Sequence, residues 1–226
     1  MEGFYEQDHY KMKKLAIYGA GGFGKETACL INKINEVEPE WELIGFFDDN
    51  LSLKGTMVSH YGPCLGGLEE LNNYNEELAI VMAIGNSGIV KPLIDKITNE
   101  KIYYPNLIHP RVNFNDFSSV EIGKGNIIQG GCFFSCDVVM GDFNVLNGSV
   151  VLGHDDRIGS FNIFMPAVRV SGQVTIGNEN YFGVGAIILQ QLKIGNNTRF
   201  GAGCVLMTKP KDGCLYIGNP AKKTSF

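Results

Sequence analysis

Apolar residues recur at every sixth position through the second half of the chain. Counted from Ile122 to Leu206, all fifteen of these positions carry a hydrophobic side chain. They are Ile122, Ile128, Phe134, Met140, Leu146, Leu152, Ile158, Phe164, Val170, Ile176, Phe182, Ile188, Ile194, Phe200 and Leu206. Chance would very rarely produce such a series in a chain that is 44% hydrophobic. The period therefore predicts a repeat architecture built from six-residue units.

A longer period of eighteen residues is superimposed on the shorter one. Glycine recurs at Gly123, Gly141, Gly159, Gly177 and Gly195, and three residues later the chain has Asn126, Asn144, Asn162, Asn180 and Thr198. Six-residue units nested in eighteen indicate a three-sided coil, in which each side contributes one inward apolar residue. The glycines suit a corner where φ is positive or where backbones crowd, and the asparagines would stack as a structural ladder. Residues 122–206 are thus predicted to form nearly five coils of a parallel β-helix.

The first half of the chain alternates between apolar strands and segments with helical spacing. Strands are predicted at residues 14–18, 41–49 and 77–86, and helices at 24–36 and 87–99. Strands that alternate with helices imply a parallel sheet. This segment is long enough for only half of a full dinucleotide-binding fold.

These patterns divide the chain into four parts, with a short tail expected to cover the open last rung of the coil. The predicted parts are a leader at 1–12, a Rossmann-like domain at 13–105, a β-helix at 106–213 and a tail at 214–226. The fold class is therefore an α/β half-Rossmann domain followed by an all-β parallel β-helix.

A glycine-rich loop follows the first predicted strand in the stretch "LAIYGAGGFGKE". Its G-x-G-x-x-G spacing, with a helix after it, offers backbone N–H groups to a phosphate. Asp48 and Asp49 lie where a ribose-binding carboxylate is expected, and Gly85 ends the third strand at the same edge of the sheet. Gly21, Gly22, Asp48, Asp49 and Gly85 are therefore candidate nucleotide-binding residues. The alternative is that the glycines only tighten a turn.

Composition excludes several partners and gives no support for a metal site. The net charge of −5 offers no electrostatic support for binding nucleic acid. No apolar run approaches the ~20 residues needed to span a bilayer, and the polar start of the chain lacks the apolar region of a secretory signal. The six cysteines form no C-x-x-C pair, so they are interpreted as reduced thiols and not as metal ligands, and a cytoplasmic location is expected.

His154 is the only histidine in the repeat region, and it should point outward near a corner of the coil. Because imidazole titrates near neutral pH, this residue is a candidate general base. A carboxylate bonded to its far ring nitrogen would fix the tautomer. Asp155, which directly follows the histidine, and Asp156 are the two candidates for that partner.

The chain resembles the hexapeptide-repeat acyltransferases that acetylate nucleotide-linked amino sugars or sialic acids. The resemblance covers about residues 14–223, in the stretches "IYGAGGFGKE", "FFDD", "AIGN", "NLIHP", "VLNGSVVLGHDDRIG" and "YIGNPAKK". The order of parts is similar to that of the bacillosamine-pathway N-acetyltransferases. This resemblance implies a left-handed β-helix, a homotrimer, and acetyl-CoA as co-substrate between neighbouring subunits. It also implies that the glycine loop holds a nucleotide sugar in place of NAD.

The resemblance implies Asp155 as the partner of His154, because the family has an acid directly after its histidine, and it extends to further site residues. Asn147 matches a polar residue near the reacting centre, although a turn-forming asparagine explains it equally well. Val184 and Ala202 would line the pantetheine channel, and Lys222 matches the tail that borders the coenzyme. The chain departs from the family at two positions. Ile163 stands where the family has a second histidine, near the coenzyme thioester. Phe23 occupies an aromatic-or-histidine position in the glycine loop.

The leading hypothesis is an acetyl-CoA-dependent N-acetyltransferase acting on a nucleotide-linked 4-amino-4,6-dideoxy sugar. Direct transfer in a ternary complex is favoured, because no cysteine or serine is partnered with His154 in the sequence. The alternatives are O-acetylation of sialic acid or another glycan, a non-catalytic β-helix scaffold, and a dehydrogenase. The last of these would need a second mononucleotide unit, which the chain lacks.

Overall fold

The computed structural model describes residues 12–224. Apart from Met12, the predicted leader at 1–12 lies outside the described residues. Within them, the chain forms a small α/β sheet followed by a long stack of short strands. No helix in this described range is long and apolar enough to cross a membrane.

The α/β part has a five-stranded sheet in the order β3-β2-β1-β4-β5, and all neighbouring strands run parallel. The strands are β1 (Lys13–Tyr18), β2 (Trp41–Phe47), β3 (Cys64–Gly66), β4 (Leu78–Met82) and β5 (Ile102–Tyr103), and the helices are α1 (Gly22–Asn35), α2 (Leu68–Asn72) and α3 (Ser87–Ile94). The three predicted strands correspond to β1, β2 and β4. The short elements β3, β5 and α2 were not anticipated.

Both faces of the sheet are covered, which explains why its central strands are apolar throughout. Leu15 and Ile17 of β1 belong to one buried cluster, and the alternate residues Ala16 and Tyr18 belong to another on the opposite face. Each of these four side chains is at most 1% exposed. The sheet therefore holds the carboxyl ends of β1, β2 and β4 in fixed relation.

The second half winds through three flat faces, each a sheet of parallel two-residue strands, and the three-residue strands of the tail are added to face 1. Face 1 contains β6 (Leu107–Ile108), β9 (Ile127–Ile128), β12 (Val145–Leu146), β15 (Ile163–Phe164), β18 (Tyr181–Phe182), β21 (Arg199–Phe200), β23 (Leu215–Ile217) and β24 (Lys222–Thr224). Face 2 contains β7 (Asn113–Phe114), β10 (Phe133–Phe134), β13 (Val151–Leu152), β16 (Arg169–Val170), β19 (Ile187–Ile188) and β22 (Val205–Leu206). Face 3 contains β8 (Glu121–Ile122), β11 (Val139–Met140), β14 (Arg157–Ile158), β17 (Thr175–Ile176) and β20 (Lys193–Ile194).

The six-residue period marks the inward position of each strand from β8 to β22. From Ile128 to Leu206 each periodic residue is at most 4% exposed. On face 1, Phe164, Phe182 and Phe200 stack with ring centroids 4.6 and 4.9 Å apart. The predicted asparagine ladder also forms: Asn144 Nδ2 donates to Asn126 Oδ1 at 3.1 Å, and the fully buried series continues to Thr198.

Crowding explains the glycines that recur every eighteen residues. A Cβ on Gly159 would lie 2.6 Å from the carbonyl oxygen of Gly177, and one on Gly177 would lie 2.5 Å from that of Gly195. None of these glycines has a left-handed φ. The left-handed positions at the turns are held mostly by other residues, among them Asp155 with φ of 60°. Of the two explanations offered by the sequence, close backbone approach is the right one.

The α/β part packs on face 1 of the β-helix. Met82 and Val90 share a buried cluster with Phe143 and are joined there by Phe161. Lys91 Nζ on α3 also contacts Glu179 Oε1 at 3.0 Å. At the far end, β23 pairs with β21 in parallel and β24 folds back antiparallel on β23, so the tail extends and closes face 1.

Candidate active site

The glycine loop contains two kinds of glycine. Gly19 and Gly24 are required by packing, because a Cβ on Gly24 would lie 2.0 Å from the Gly19 carbonyl oxygen and one on Gly19 would lie 2.5 Å from that of Ala83. In contrast, a Cβ on Gly21, Gly22 or Gly85 would meet nothing within 4 Å. The packed glycines shape the turn, and the open ones leave a bare backbone edge that a ligand can approach.

Gly21 is the N-cap residue of α1, so the first amides of that helix face this open edge. Phe23, in the first turn of the helix, turns its ring toward the buried cluster beneath the sheet. A helix N-terminus with exposed N–H groups suits a phosphate.

Asp48 and Asp49 follow β2 and lie beside the glycine loop. Asp48 Oδ2 accepts the N–H of Ala20 at 2.8 Å, and its Oδ1 accepts the N–H of Asn50 at 2.9 Å. Asp49 Oδ1 accepts a hydrogen bond from the Tyr18 hydroxyl. Burial and this neighbouring carboxylate raise the pKa of Tyr18, so its hydroxyl remains a donor. Tyr18 lies inside the apolar run of β1, where no sequence signal distinguishes it from a core residue.

His154 and Asp155 form an exposed pair at the turn between faces 2 and 3. His154 Nδ1 lies 2.8 Å from Asp155 Oδ2, and the side chains are 55% and 49% exposed. Adjacent side chains on an extended strand diverge. Asp155 is instead left-handed, with φ of 60°, and its N–H donates to the Cys136 carbonyl at 3.1 Å. The turn therefore brings two consecutive side chains together.

Asp156, the competing partner, points into the coil. It is fully buried, and its carboxylate accepts the N–H of Gly153 at 2.8 Å and that of Val174 at 2.9 Å. Burial raises the pKa of Asp156 to about 7, against the lowering effect of those two donors and of His154. Asp156 thus connects two coils, and the contact with the imidazole belongs to Asp155.

The other sequence-predicted residues occupy different parts of the coil. Asn147, Val184 and Ala202 lie at the turn between faces 1 and 2, and Asn147 Nδ2 donates to the Phe164 carbonyl at 3.1 Å. Ile163 is on face 1, 6% exposed, and lines a small cavity against Met82 and Ile84 of the α/β part.

Lys222 begins the exposed strand β24 at the end of the coil. The chain therefore brings His154 and Asp155 together, and it separates them from the coenzyme candidates by at least one face. No group of acidic, cysteine or histidine side chains within residues 12–224 is arranged to hold a metal ion.

Gly172 packs against the His154 ring and, like Tyr18, was not predicted from the sequence. It stands directly above His154 in the next coil, and a Cβ there would meet the imidazole ring. The signal available in the sequence was its spacing of eighteen residues from His154.

A half-Rossmann domain with an open glycine edge, joined to a β-helix with an exposed histidine–carboxylate pair at a turn, defines the class of hexapeptide-repeat acyltransferases. Residues 14–97 match the family described as PglD N-terminal domain. A curated UDP-N-acetylbacillosamine N-acetyltransferase of Bacillus subtilis is 29% identical over 119 residues, 52% of each chain. The chain thus aligns with about half the length of that curated relative.

Solved structures extend the similarity over nearly the whole chain. The acetyltransferase domain of PglB from Neisseria gonorrhoeae, in complex with acetyl coenzyme A, is 30% identical with a TM-score of 0.83, covering 95% of this chain and 100% of that one. PerB from Caulobacter crescentus, in complex with CoA and GDP-perosamine, is 26% identical with a TM-score of 0.81, covering 95% and 99%. The chain belongs to this family of left-handed β-helix sugar acetyltransferases. The predicted family and fold class are confirmed.

Proposed function

We propose that this chain is an acetyl-CoA-dependent N-acetyltransferase whose substrate is a nucleotide-linked 4-amino-4,6-dideoxy sugar. The observation that carries the proposal is the 2.8 Å contact between His154 Nδ1 and Asp155 Oδ2 at an exposed turn of the coil. The curated relative is named for N-acetylation of a UDP-linked sugar, and PerB holds both CoA and GDP-perosamine.

His154 acts as the general base in this proposal. With Asp155 accepting the Nδ1 proton, the lone pair stands on Nε2, which removes a proton from the sugar amine as that nitrogen attacks the thioester carbonyl. The new C–N bond forms in a tetrahedral intermediate, its collapse breaks the C–S bond, and the imidazolium of His154 returns the proton to the departing sulfur, so that CoA leaves as the thiol. Structures of the perosamine N-acetyltransferase with one histidine replaced by asparagine or by alanine were obtained with both CoA and GDP-perosamine.

The open backbone edge of the α/β part is the proposed nucleotide site. Gly21, Gly22 and Gly85 leave room for a diphosphate at the N-terminus of α1, and Phe23 closes one side of the loop. Asp48 and Asp49 face the ribose, each with lone pairs beyond those already used by Ala20, Asn50 and Tyr18. This assignment gives the glycine loop the task of holding the substrate while the chemistry occurs on the coil.

The coenzyme is assigned to the turn between faces 1 and 2, where Val184 and Ala202 lie. Asn147 and Ile163 belong to earlier coils, and Lys222 stands near the coenzyme phosphates. Val184, Met207 and Ile217 are between 47% and 48% exposed, so they form apolar surface that a neighbouring copy would cover. Together with the 55% exposure of the His154 side chain, this favours a homotrimer with active sites between subunits. A cytoplasmic location fits the supply of acetyl-CoA and nucleotide sugars.

The proposal is tested by incubating the protein with acetyl-CoA and a panel of UDP-, GDP- and dTDP-linked 4-amino sugars, and following thiol release. One member of the panel is expected to turn over, with an amide in the product. Because base catalysis contributes about 10²–10⁴-fold, His154→Asn should lower kcat by that factor.

His60→Asn is the matched control, since His60 lies in a surface loop of the α/β part and should leave turnover unchanged. Near-normal turnover by His154→Asn would remove the base from the mechanism. An ester-linked product would identify an O-acetyltransferase, and failure to bind acetyl-CoA would indicate a scaffold.

A further inference from the structure

The turn between faces 2 and 3 stacks equivalent residues from successive coils. Cys136, His154, Gly172 and Gln190 are spaced by eighteen residues and form one column. The coils are joined there by backbone hydrogen bonds, from Asp155 N–H to the Cys136 carbonyl at 3.1 Å and from Gln173 N–H to the His154 carbonyl at 2.7 Å. Gly172 is the one member of this column without a side chain.

The imidazole of His154 occupies the space that a side chain on Gly172 would fill. A Cβ built on Gly172 would lie 2.4 Å from His154 Nε2, and 2.7 Å from both Cδ2 and Cε1. All three of its nearest neighbours are atoms of that ring, so the ring lies flat against the bare Cα. The backbone of Gly172 is not left-handed, so glycine is not needed there for its φ. The space taken by the ring is the reason for glycine.

We propose that Gly172 is a positioning residue for His154. The bare Cα supports one side of the imidazole while Asp155 holds Nδ1, and together they fix the direction in which Nε2 points. The inference rests on the proposed function, in which Nε2 takes the proton of the sugar amine.

An added methyl group must displace the ring, because the contact distances of 2.4 to 2.7 Å are far inside van der Waals separation. Displacing the ring changes both the direction of Nε2 and the contact between Nδ1 and Asp155. A misplacement of about 1 Å in a reacting group can cost ~10²-fold in rate. Substrate binding sites on the α/β part are untouched by this change.

Gly148 provides the matched control. It stands at the corresponding place in the turn between faces 1 and 2, directly before the left-handed Ser149, as Gly172 stands before the left-handed Gln173. A Cβ on Gly148 would meet only the Gly130 carbonyl oxygen, at an ordinary 3.5 Å. Gly148→Ala therefore tests the cost of an alanine in such a turn without a ring beside it.

The experiment compares Gly172→Ala, Gly148→Ala, His154→Ala and the double variant Gly172→Ala with His154→Ala. For Gly172→Ala we expect kcat to fall about 10²-fold with KM for both substrates within about threefold, and the pH profile of kcat to change shape. Gly148→Ala is the control for stability only, because its turn also holds Val184 and Ala202, and it should keep the wild-type melting temperature. In the His154→Ala background, Gly172→Ala should cause no further loss of rate.

Two readouts are independent of turnover. The His154 ring resonances, assigned by their loss in His154→Ala, should shift in Gly172→Ala and stay in place in Gly148→Ala. Gly172→Ala should lower the melting temperature of the wild type. It should not lower the melting temperature of His154→Ala, in which the ring is absent. The proposal would be overturned if Gly172→Ala changed neither kcat nor the ring resonances. It would also be overturned if Gly172→Ala lowered the melting temperature equally in the wild-type and His154→Ala backgrounds. If the wild-type protein itself transfers no acetyl group, the proposed function fails, and the resonances and the melting cycle still decide whether Gly172 places the ring.

Discussion

Asp155 and Asp156 are neighbours in the chain, yet they meet different environments. Asp155 is half-exposed beside His154, whereas Asp156 is enclosed by the coil and bonded to the amides of Gly153 and Val174. The difference arises from the left-handed φ of Asp155, which turns one carboxylate outward along the imidazole and directs the next inward. At this scale a single backbone angle decides which of the two carboxylates meets the imidazole.

The buried carboxylate predicts a specific pH dependence of stability. The pKa of Asp156 is raised to about 7 by burial, so the folded protein favours its protonated form more than the unfolded chain does. The contribution of Asp156 to the free energy of unfolding is fully present below the pKa that this group has in the unfolded chain. It is lost as pH rises toward 7, at up to about 1.4 kcal/mol per pH unit. Asp156→Asn should be less stable than wild type at pH 5, and the difference should narrow as pH rises to 8.

Denaturant unfolding at several pH values measures that difference. Asp137→Asn is the control, since Asp137 is an exposed residue at the equivalent left-handed position one coil below Asp155. Its unfolding free energy should run parallel to that of the wild type. If the difference in unfolding free energy between wild type and Asp156→Asn stayed constant from pH 5 to 8, Asp156 would not titrate in this range.

At the scale of the element, the coil depends on two polar ladders with different exposure. Asn180 is fully buried: its Nδ2 donates to Asn162 Oδ1 at 3.0 Å and to the Gly195 carbonyl at 2.9 Å, and its Oδ1 accepts the N–H of Thr198. Asn178, two residues earlier, accepts the N–H of Ser160 at 2.7 Å on the surface. Unpaired groups are costly in the interior, whereas water replaces a lost bond at the surface.

Asn180→Ala should therefore lower the unfolding free energy by about 3 kcal/mol, because it leaves several buried polar groups without partners. Asn178→Ala, in the same coil, should cost less than about 1 kcal/mol, because the freed N–H of Ser160 is close to solvent. Chemical denaturation of both variants gives the comparison. Equal losses would mean that burial does not govern the contribution of the inner ladder.

At the scale of the whole molecule, two aromatic residues join the α/β part to the β-helix. Phe143 and Phe161 stack with centroids 5.3 Å apart and pack with Met82 and Val90. Both are left-handed, with φ of 53° and 61°, which is unusual for bulky side chains. Glu179 and Asn197 have the same left-handed φ in the same column of turns, so the winding of the coil sets this conformation, and the two aromatic rings extend from it to the α/β part.

Phe161→Ala should uncouple the two parts. We expect a loss of about 2 kcal/mol from the missing apolar contact, and calorimetry should resolve two transitions in place of one. Glu179→Ala is the control: Glu179 follows Phe161 in the same column of turns and contributes only the exposed ion pair with Lys91, worth less than about 1 kcal/mol. If Phe161→Ala still unfolded in a single transition, other contacts would account for the coupling between the α/β part and the β-helix.

Much of the architecture could be predicted from the sequence, because the residues that become buried recur at a fixed period. The inward positions from Ile128 to Leu206 follow a fixed period, and the apolar runs of β1 and β4 follow from burial on both sides of a sheet. The strands β3 and β5 and the helix α2 were not readable, because elements of two to five residues have no period of their own. They are held by their neighbours in the sheet.

The sequence by itself determined the coil, its inward residues and the family, because each of these depends on residue type and spacing along one dimension. Only the tertiary structure decided that Asp155 and not Asp156 meets the imidazole, that Gly159 and Gly177 are needed for crowding, and that Gly172 makes room for a ring. These outcomes depend on contacts between residues one coil apart and on the direction of side chains at a turn. Such contacts exist only when the coils are stacked.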